Sequence, residues 1–262
     1  MSPAAQAPGA RITQAIREAR AGGSPALVAY LTAGFPSRAR FAEHVHALAA
    51  GADVVEIGVP FTDPMADGVT IQRSSQAALA QGVTLRWILE ALEAMQPVAA
   101  PLVLMSYLNP LLAIGLEALA QSAQRAGVSG FIVPDLPFDE SAPLRAAVAP
   151  AGLALVQMVT PVTEPPRLSE VCRASEGFVY AVTMTGTTGK NVAVPTEVLG
   201  YLDRVRAAAT VPVCAGFGIR SREQVSLLAG HVDGVIVGSA LVEVLERGED
   251  PTKWLEGLRA SG

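Results

Sequence analysis

The fold is decided by one stretch of the chain, Asp53-Val-Val-Glu-Ile-Gly-Val-Pro-Phe-Thr-Asp-Pro-Met-Ala-Asp-Gly68. It begins as an apolar strand pattern that carries one carboxylate, Glu56, and continues as a Pro/Gly-punctuated loop with two more, Asp63 and Asp67. A charged side chain inside an apolar strand is costly unless it is paired or takes part in chemistry. This strand and the loop after it are therefore the first place to look for a functional site.

Seven other apolar runs have the length of a buried strand, and helix-compatible stretches separate them. With Asp53–Val59, the predicted strands are Ala26–Thr32, Leu102–Tyr107, Gly130–Asp135, Leu153–Thr160, Gly177–Thr183, Val211–Gly216 and Asp233–Gly238. Helix-compatible stretches include Phe41–Ala50, Leu85–Met95, Leu116–Ala126, Pro143–Val148, Glu197–Ala209 and Arg222–Leu228. This alternation predicts a single (β/α)8 TIM barrel with an extra N-terminal helix, forming one domain over residues 1–262. A doubly wound open sheet is the alternative, but no GxGxxG follows the first strand.

Composition narrows the class of protein. Half of the residues are hydrophobic and 16% are charged, which suits parallel strands buried on both faces. A net charge of −5 without a Lys/Arg cluster argues against nucleic-acid binding. Cys172 and Cys214 form no CxxC, so we expect reduced core thiols. With no signal-peptide pattern and no apolar run of about 18 residues, we expect a cytoplasmic protein without membrane spans.

Glycines follow the last three predicted strands, and a TIM barrel commonly binds phosphate at the loops after the seventh and eighth. They stand in Gly186-Thr-Thr-Gly189, Gly216-Phe-Gly218 and Gly238-Ser239. Glycine lets the backbone approach an anion, N–H groups at a helix start point at it, and the serine adds a hydroxyl donor. Tight turns without a ligand are the alternative, but glycine motifs after both of the last two strands favour a phosphate site.

Two carboxylates are the candidate catalytic groups. Glu56 shares a strand face with Val54 and Gly58, and this face points either into the barrel mouth or toward the helices. In the mouth, apolar neighbours would raise its pKa toward the range of a general acid/base, whereas a structural glutamate would bond a backbone donor instead. Asp67, in the following loop, could accept a substrate N–H and stabilise positive charge, although a lone loop aspartate is more often a turn residue.

Other residue types limit the chemistry further. The only lysines, Lys190 and Lys253, lie on no strand, which argues against a Schiff-base aldolase. Among the three histidines, His44 and His46 face apart on a helix, which argues against a zinc site. The sequence therefore predicts a phosphate-bearing substrate processed by carboxylates, without metal or organic cofactor.

Supporting residues are expected around the two acids. Tyr180, in strand six, either places a phenol beside Glu56 or packs in the core. The stretch 185–195 suits a mobile lid, and Thr188 is its candidate to meet Asp67 on closure. Tyr107 and Tyr30 are the candidates for an aromatic pocket.

At these residues the chain resembles the tryptophan synthase alpha subunit family, over essentially its whole length. The matching pieces are Glu56–Gly68, Tyr107–Pro110, Val133–Pro137, Gly177–Tyr180, Thr188-Gly189, Gly216–Gly218 and Gly238-Ser239. The resemblance implies a carbon–carbon lyase of tryptophan biosynthesis, which cleaves indole-3-glycerol phosphate to indole and glyceraldehyde 3-phosphate by a retro-aldol reaction.

The resemblance also implies residue roles. Glu56 falls on the acid/base that protonates indole C3, and Asp67 on the carboxylate that holds the indole N–H. Thr188 matches the lid threonine, and Tyr180 the tyrosine beside the glutamate. The phosphate cradle falls on Gly189, Gly218, Gly238 and Ser239.

The family works with a pyridoxal-phosphate-dependent β subunit in an α2β2 heterotetramer. Phe61–Met65 and Asn109–Leu112 read as apolar loops that either form this interface or pack locally. Val69, Met184 and Thr187 depart from the usual family residues, in the two loops that close the site and signal the partner. Two alternatives stay open: a stand-alone indole-producing lyase of specialised metabolism, and a non-catalytic barrel that only activates a partner.

Overall fold

The computed structural model describes residues 7–183, 195–216 and 218–259. Eight parallel strands form a closed barrel in chain order, with β8 paired back to β1. The strands are β1 (Ala26–Thr32), β2 (Val54–Gly58), β3 (Leu102–Met105), β4 (Val128–Ile132), β5 (Ala154–Val159), β6 (Val179–Val182), β7 (Val213–Gly216) and β8 (Gly234–Val237). The predicted (β/α)8 barrel is confirmed.

Helices connect the strands and surround the barrel. In the described residues they are α1 (Ala10–Ala21), α2 (Phe41–Gly51), α3 (Val69–Ala80), α4 (Leu85–Ala94), α5 (Leu108–Ile114), α6 (Leu116–Arg125), α7 (Ala142–Val148), α8 (Pro165–Ala174), α9 (Thr196–Ala208), α10 (Arg222–Leu228), α11 (Ser239–Glu246) and α12 (Pro251–Leu258). Short 3-10 turns span Arg38–Arg40, Phe138–Glu140 and Ala149–Ala151. None of these helices combines the length and apolar character that a bilayer crossing needs.

Several segments differ from their prediction, and in two of them a proline explains the difference. Asn109–Leu112, expected as a loop, lies in α5, where Pro110 occupies the first turn and needs no hydrogen-bond acceptor. Strand β4 spans Val128–Ile132 rather than the predicted Gly130–Asp135. Pro134 has no N–H to donate to a sheet, so the backbone leaves β4 before it.

The core has two layers because side chains alternate along each strand. The inner layer fills the barrel and includes Val54, Val103, Val156 and Ile236, whereas the outer layer packs the strands against the helices. Both cysteines are fully buried free thiols.

The extra N-terminal helix closes one end of the barrel. Ile12 and Ile16 of α1 have no solvent exposure and join the inner core. The Thr13 hydroxyl donates to the Gly177 carbonyl at 2.7 Å, just before β6, and Arg11 donates to carbonyls that precede β3. Helix α1 therefore covers the N-terminal ends of the strands, which leaves the opposite end open for a site.

Candidate active site

The open end of the barrel holds a cavity of about 250 Å³. Strands β1, β2, β3, β5, β6, β7 and β8 contribute to its wall together with the loop after β2. The lining residues are Tyr30, Glu56, Ala66, Asp67, Gly68, Ile71, Met105, Pro134, Met158, Tyr180, Val182, Gly216, Gly218, Ile236, Gly238 and Ser239. The structure therefore brings together seven of the predicted site residues: both carboxylates, two tyrosines, two glycines and the serine.

Glu56 points into the barrel rather than toward the helices. Glu56 is 1% exposed, and its Oε2 atom is buried without a hydrogen-bond partner in the described part of the chain. Burial, and then the negative charge of Asp67, raise the pKa of this carboxyl to about 8. Glu56 is therefore predominantly protonated at neutral pH and can act as a proton donor.

Asp67 approaches the same cavity from the loop after β2. The loop is folded by backbone hydrogen bonds, including one of 3.1 Å from the Asp67 N–H to the Pro64 carbonyl. Burial raises the pKa of the Asp67 carboxyl to about 6, and a hydrogen bond with the Tyr107 hydroxyl partly opposes this rise. At neutral pH the cavity thus contains one neutral and one ionised carboxyl group, as acid catalysis beside a developing cation requires.

Tyr107 lies behind this loop rather than on the cavity wall. Its hydroxyl accepts a 2.9 Å hydrogen bond from the Ala66 N–H, and its ring stacks on Phe61 with centroids 5.0 Å apart. The structure thus differs from the predicted place of Tyr107 in an aromatic pocket. It fixes the backbone beside Asp67 instead.

Tyr30 lies next to Glu56, since β1 and β2 pair these two residues. Its hydroxyl is 3.2 Å from Thr32 Oγ1, which is 2.6 Å from the Ser74 hydroxyl on α3. The ring occupies space above Gly58, where a Cβ atom would overlap the Tyr30 hydroxyl. Burial raises the pKa of Tyr30, so its phenol stays protonated.

Tyr180 forms the wall contributed by β6. A Cβ on Gly216 would lie 2.9 Å from the Tyr180 hydroxyl, so this glycine makes room for the ring. Burial, followed by the charge of Glu56, raises the pKa of Tyr180 well above its usual value. Its phenol is a neutral group close to the buried acid.

The predicted phosphate groups lie on the cavity wall after β7 and β8. Gly218 has φ +65°, a conformation that glycine adopts without strain. Gly238 precedes α11, whose first turn begins at Ser239 and carries N–H groups that an α-helix leaves unpaired. Thr188 and Gly189, predicted for the lid and the cradle, lie outside the described residues.

Several apolar lining residues were not predicted for the site, among them Met105, Met158 and Ile71. Met105 and Met158 each lie two residues after an inner-core valine, Val103 and Val156, so strand alternation could have placed them. Ile71 lies on α3, a helix absent from the prediction, and no pattern identified it.

Comparison with known proteins identifies the family. A family model described as tryptophan synthase alpha chain matches residues 16–260. The tryptophan synthase alpha chain of Nitratidesulfovibrio vulgaris is 46% identical over 248 residues, covering 94% of this chain and 96% of that protein. The chain belongs to the tryptophan synthase alpha chain family. The tryptophan synthase alpha chain of Carboxydothermus hydrogenoformans is 44% identical over 238 residues, covering 90% of this chain and 89% of that protein.

Solved structures give the same family assignment. A chain of Mycobacterium tuberculosis tryptophan synthase has a TM-score of 0.86 at 38% identity, covering 96% of this chain and 99% of that one. The tryptophan synthase subunit alpha of Legionella pneumophila has a TM-score of 0.84 at 31% identity, covering 95% and 96%. The tryptophan synthase alpha chain model spans all eight strands of the barrel, so the likeness is not confined to the site.

Proposed function

We propose that this chain is a carbon–carbon lyase that cleaves indole-3-glycerol phosphate to indole and glyceraldehyde 3-phosphate, acting as one barrel domain over residues 1–262. The observation that carries the proposal is the pair Glu56 and Asp67, which line one cavity with pKa values raised to about 8 and about 6, so that neutral pH lies between them. Membership of the tryptophan synthase alpha chain family supports the choice of substrate.

The reaction needs an electron sink within the substrate. Glu56 donates its proton to C3 of the indole ring, and the ring nitrogen becomes an iminium. The Asp67 carboxylate accepts the N–H of this cation and stabilises its charge. The bond between C3 and the side chain then breaks, its electron pair restores the aromatic ring, and the adjacent hydroxyl becomes the aldehyde. The deprotonated Glu56 accepts the hydroxyl proton, which returns the acid to its starting form.

The rest of the cavity positions the substrate. Tyr30 and Tyr180 flank the buried acid and provide aromatic surface for the indole ring. Gly218, Gly238 and Ser239 face the cavity from β7 and β8, where backbone N–H groups and a hydroxyl can bind the phosphate. The lid role of Thr188 and the phosphate contact of Gly189 belong to the same proposal.

A β-subunit interface is proposed at the exits of β2 and β3. Met65 is 88% exposed, Val69 is 82% exposed and Leu112 is 51% exposed, and all three lie on these two exits. Exposed apolar side chains gathered near a site mark an interaction surface. We propose a pyridoxal-phosphate-dependent β subunit as partner, in a cytoplasmic α2β2 assembly. Because Met65 is two residues from Asp67, partner binding would act directly on the catalytic loop.

The decisive experiment measures indole release from indole-3-glycerol phosphate, with and without a tryptophan synthase β subunit. We expect release by the isolated chain and faster release in the complex. Release that a β subunit leaves unchanged would indicate the stand-alone lyase instead. A chain that releases no indole in either condition but stimulates the β subunit would be the non-catalytic barrel.

A further inference from the structure

A second cavity, the β5–α8 cavity, lies beside the active-site cavity. Its volume of about 590 Å³ is within the range of small-ligand pockets, about 300–1,000 Å³. The loop after β4, strand β5 and the start of α8 contribute to its lining. Pro134, Met158 and Val182 line both cavities, so the two lie side by side. The cleavage chemistry described above makes no use of this second cavity.

Gln157 gives the β5–α8 cavity an unpaired polar group. Its neighbours on β5, Val156 and Met158, belong to the inner core, so Gln157 faces the helix layer. The residue is only 6% exposed, and its backbone N–H donates to the Ser175 hydroxyl at 2.9 Å. Its side-chain amide has no hydrogen-bond partner among the described residues.

The Gln157 side-chain amide has two donor hydrogens and an acceptor oxygen that it can offer to a molecule in the cavity. The flanking outward residues Leu155 and Val159 are both apolar members of the outer core. Gln157 is thus a polar exception in an apolar layer, and it lines a cavity large enough for a ligand. On the outward face of β5 the structure therefore offers the cavity one neutral amide between two apolar side chains.

The charged groups at this cavity are already engaged or exposed. Arg167 donates both terminal nitrogens to the Asp139 carboxylate, at 2.8 and 2.5 Å, and its guanidinium lies 5.0 Å from the centre of the Phe138 ring. The Asp135 carboxylate accepts the Leu108 N–H at 2.9 Å. Glu164 is exposed at the start of α8. The Arg167 guanidinium is paired within the protein, so an anionic ligand would find no free cation among the described lining residues.

We propose that the β5–α8 cavity is a second binding site for a small neutral aromatic molecule that carries an N–H group, with the Gln157 side-chain oxygen accepting that N–H. The choice of ligand rests on the proposed function: indole, the neutral bicyclic product, has this chemistry. One product molecule then occupies a position next to the catalytic cavity without filling it.

Titration of indole into the full chain, with 13C-labelled Leu and Val methyl groups, tests the proposal by NMR. The methyl signals of Leu155 and Val171, which line the β5–α8 cavity, should shift and saturate. Gln157→Met keeps the shape of the side chain and removes the amide. It should weaken the binding reported by these signals by roughly threefold to tenfold. Gln14→Met, on the exposed face of α1, is the matched control and should change nothing.

Two outcomes would overturn the proposal: Leu155 and Val171 signals that stay unmoved by indole, or equal affinity in the Gln157→Met variant whose fold circular dichroism shows to be intact. The assay of indole release is independent of this titration. Release without methyl shifts would leave the proposed function standing and remove the second site. Methyl shifts without release would support a neutral-aromatic site and remove the proposed function.

Discussion

The Glu56 carboxyl is kept protonated by the strand that positions it. Its neighbours on the inner face are apolar, and the nearest charge that affects its pKa is the anionic Asp67. Both features oppose ionisation, so the same burial that is costly for folding creates an acid at neutral pH. A glutamine there would keep the shape and lose the proton.

Glu56→Gln should therefore lower indole release by at least about a hundredfold, since proton donation by a positioned acid contributes on that order or more. Binding of glyceraldehyde 3-phosphate, measured by calorimetry, should remain within about twofold. Glu90→Gln, an exposed change on α4, is the control. Near-normal turnover in the Glu56 variant would refute the mechanism.

The pH profile of kcat/KM should have two limbs. Activity requires a protonated Glu56, whose raised pKa is about 8, so the rate should fall as pH rises through that value. It also requires an ionised Asp67, whose raised pKa is about 6, so the rate should fall as pH drops below that value. Initial rates between pH 5 and 9 test this, and a profile that is flat across the range would contradict it.

At the scale of elements, the loop after β2 depends on the exit of β3. Tyr107, which precedes α5, accepts the Ala66 N–H and forms a hydrogen bond that lowers the Asp67 pKa. Two connections that are distant in sequence thereby set the position and charge of one catalytic carboxyl group.

Removing the Tyr107 hydroxyl tests that connection. Tyr107→Phe should move the acid limb of the pH profile to higher pH, because the hydrogen bond that favours ionised Asp67 is lost. We expect kcat to fall by roughly tenfold, in line with one lost hydrogen bond. Tyr201→Phe is the matched control, since its buried hydroxyl donates to the Val159 carbonyl on the outer side of the barrel. An unmoved acid limb would show that Tyr107 only packs.

Elements that follow from local patterns were predicted, and elements that depend on distant contacts were not. Strand β1 has its predicted bounds, and Glu56 was predicted because a carboxylate in an apolar strand is locally anomalous. Asp67 was predicted because it lies in the loop that follows this strand. Helix α3 was not predicted because polar residues interrupt its apolar positions, and α5 was not predicted because it is only seven residues long and carries a proline in its first turn. The position of Tyr107 behind the loop depends on how β2 and β3 exits pack together, which sequence patterns do not contain.

One end of the barrel is closed by a buried helix contact, and the other end carries the candidate active site. Helix α1 seals the N-terminal end with Ile12 and Ile16, whereas the carboxylates and glycine loops gather at the other end. Changes at the sealed end should therefore affect unfolding without reaching the cavity.

Ile16→Ala should lower the free energy of unfolding by about 2–5 kcal/mol, because a fully buried side chain is replaced by a void. At a temperature where the variant is folded, kcat should stay within about twofold of the parent value. Urea denaturation and the indole assay provide the two measurements, with Arg17→Ala on the exposed face of α1 as control. If Ile16→Ala lost activity without losing stability, the two ends of the barrel would not be independent.

The surface proposed to bind a β subunit is also a property of the whole molecule. Met65→Ser should weaken stimulation by a β subunit by about tenfold, because it removes the most exposed large apolar side chain beside Asp67. Basal turnover of the isolated chain gives the reference in each case. Leu227→Ser, on α10 and away from this surface, is the control. Equal effects of the two variants would place the interface elsewhere.

Both thiols of the chain are enclosed, one in the inner layer at β7 and one on α8. A cysteine introduced in place of Arg17, on the exposed face of α1, would thus be the thiol that reacts with a maleimide. Molecules attached to a sensor chip through that cysteine would have the N-terminal end of the barrel toward the chip and the substrate entrance toward the flowing buffer.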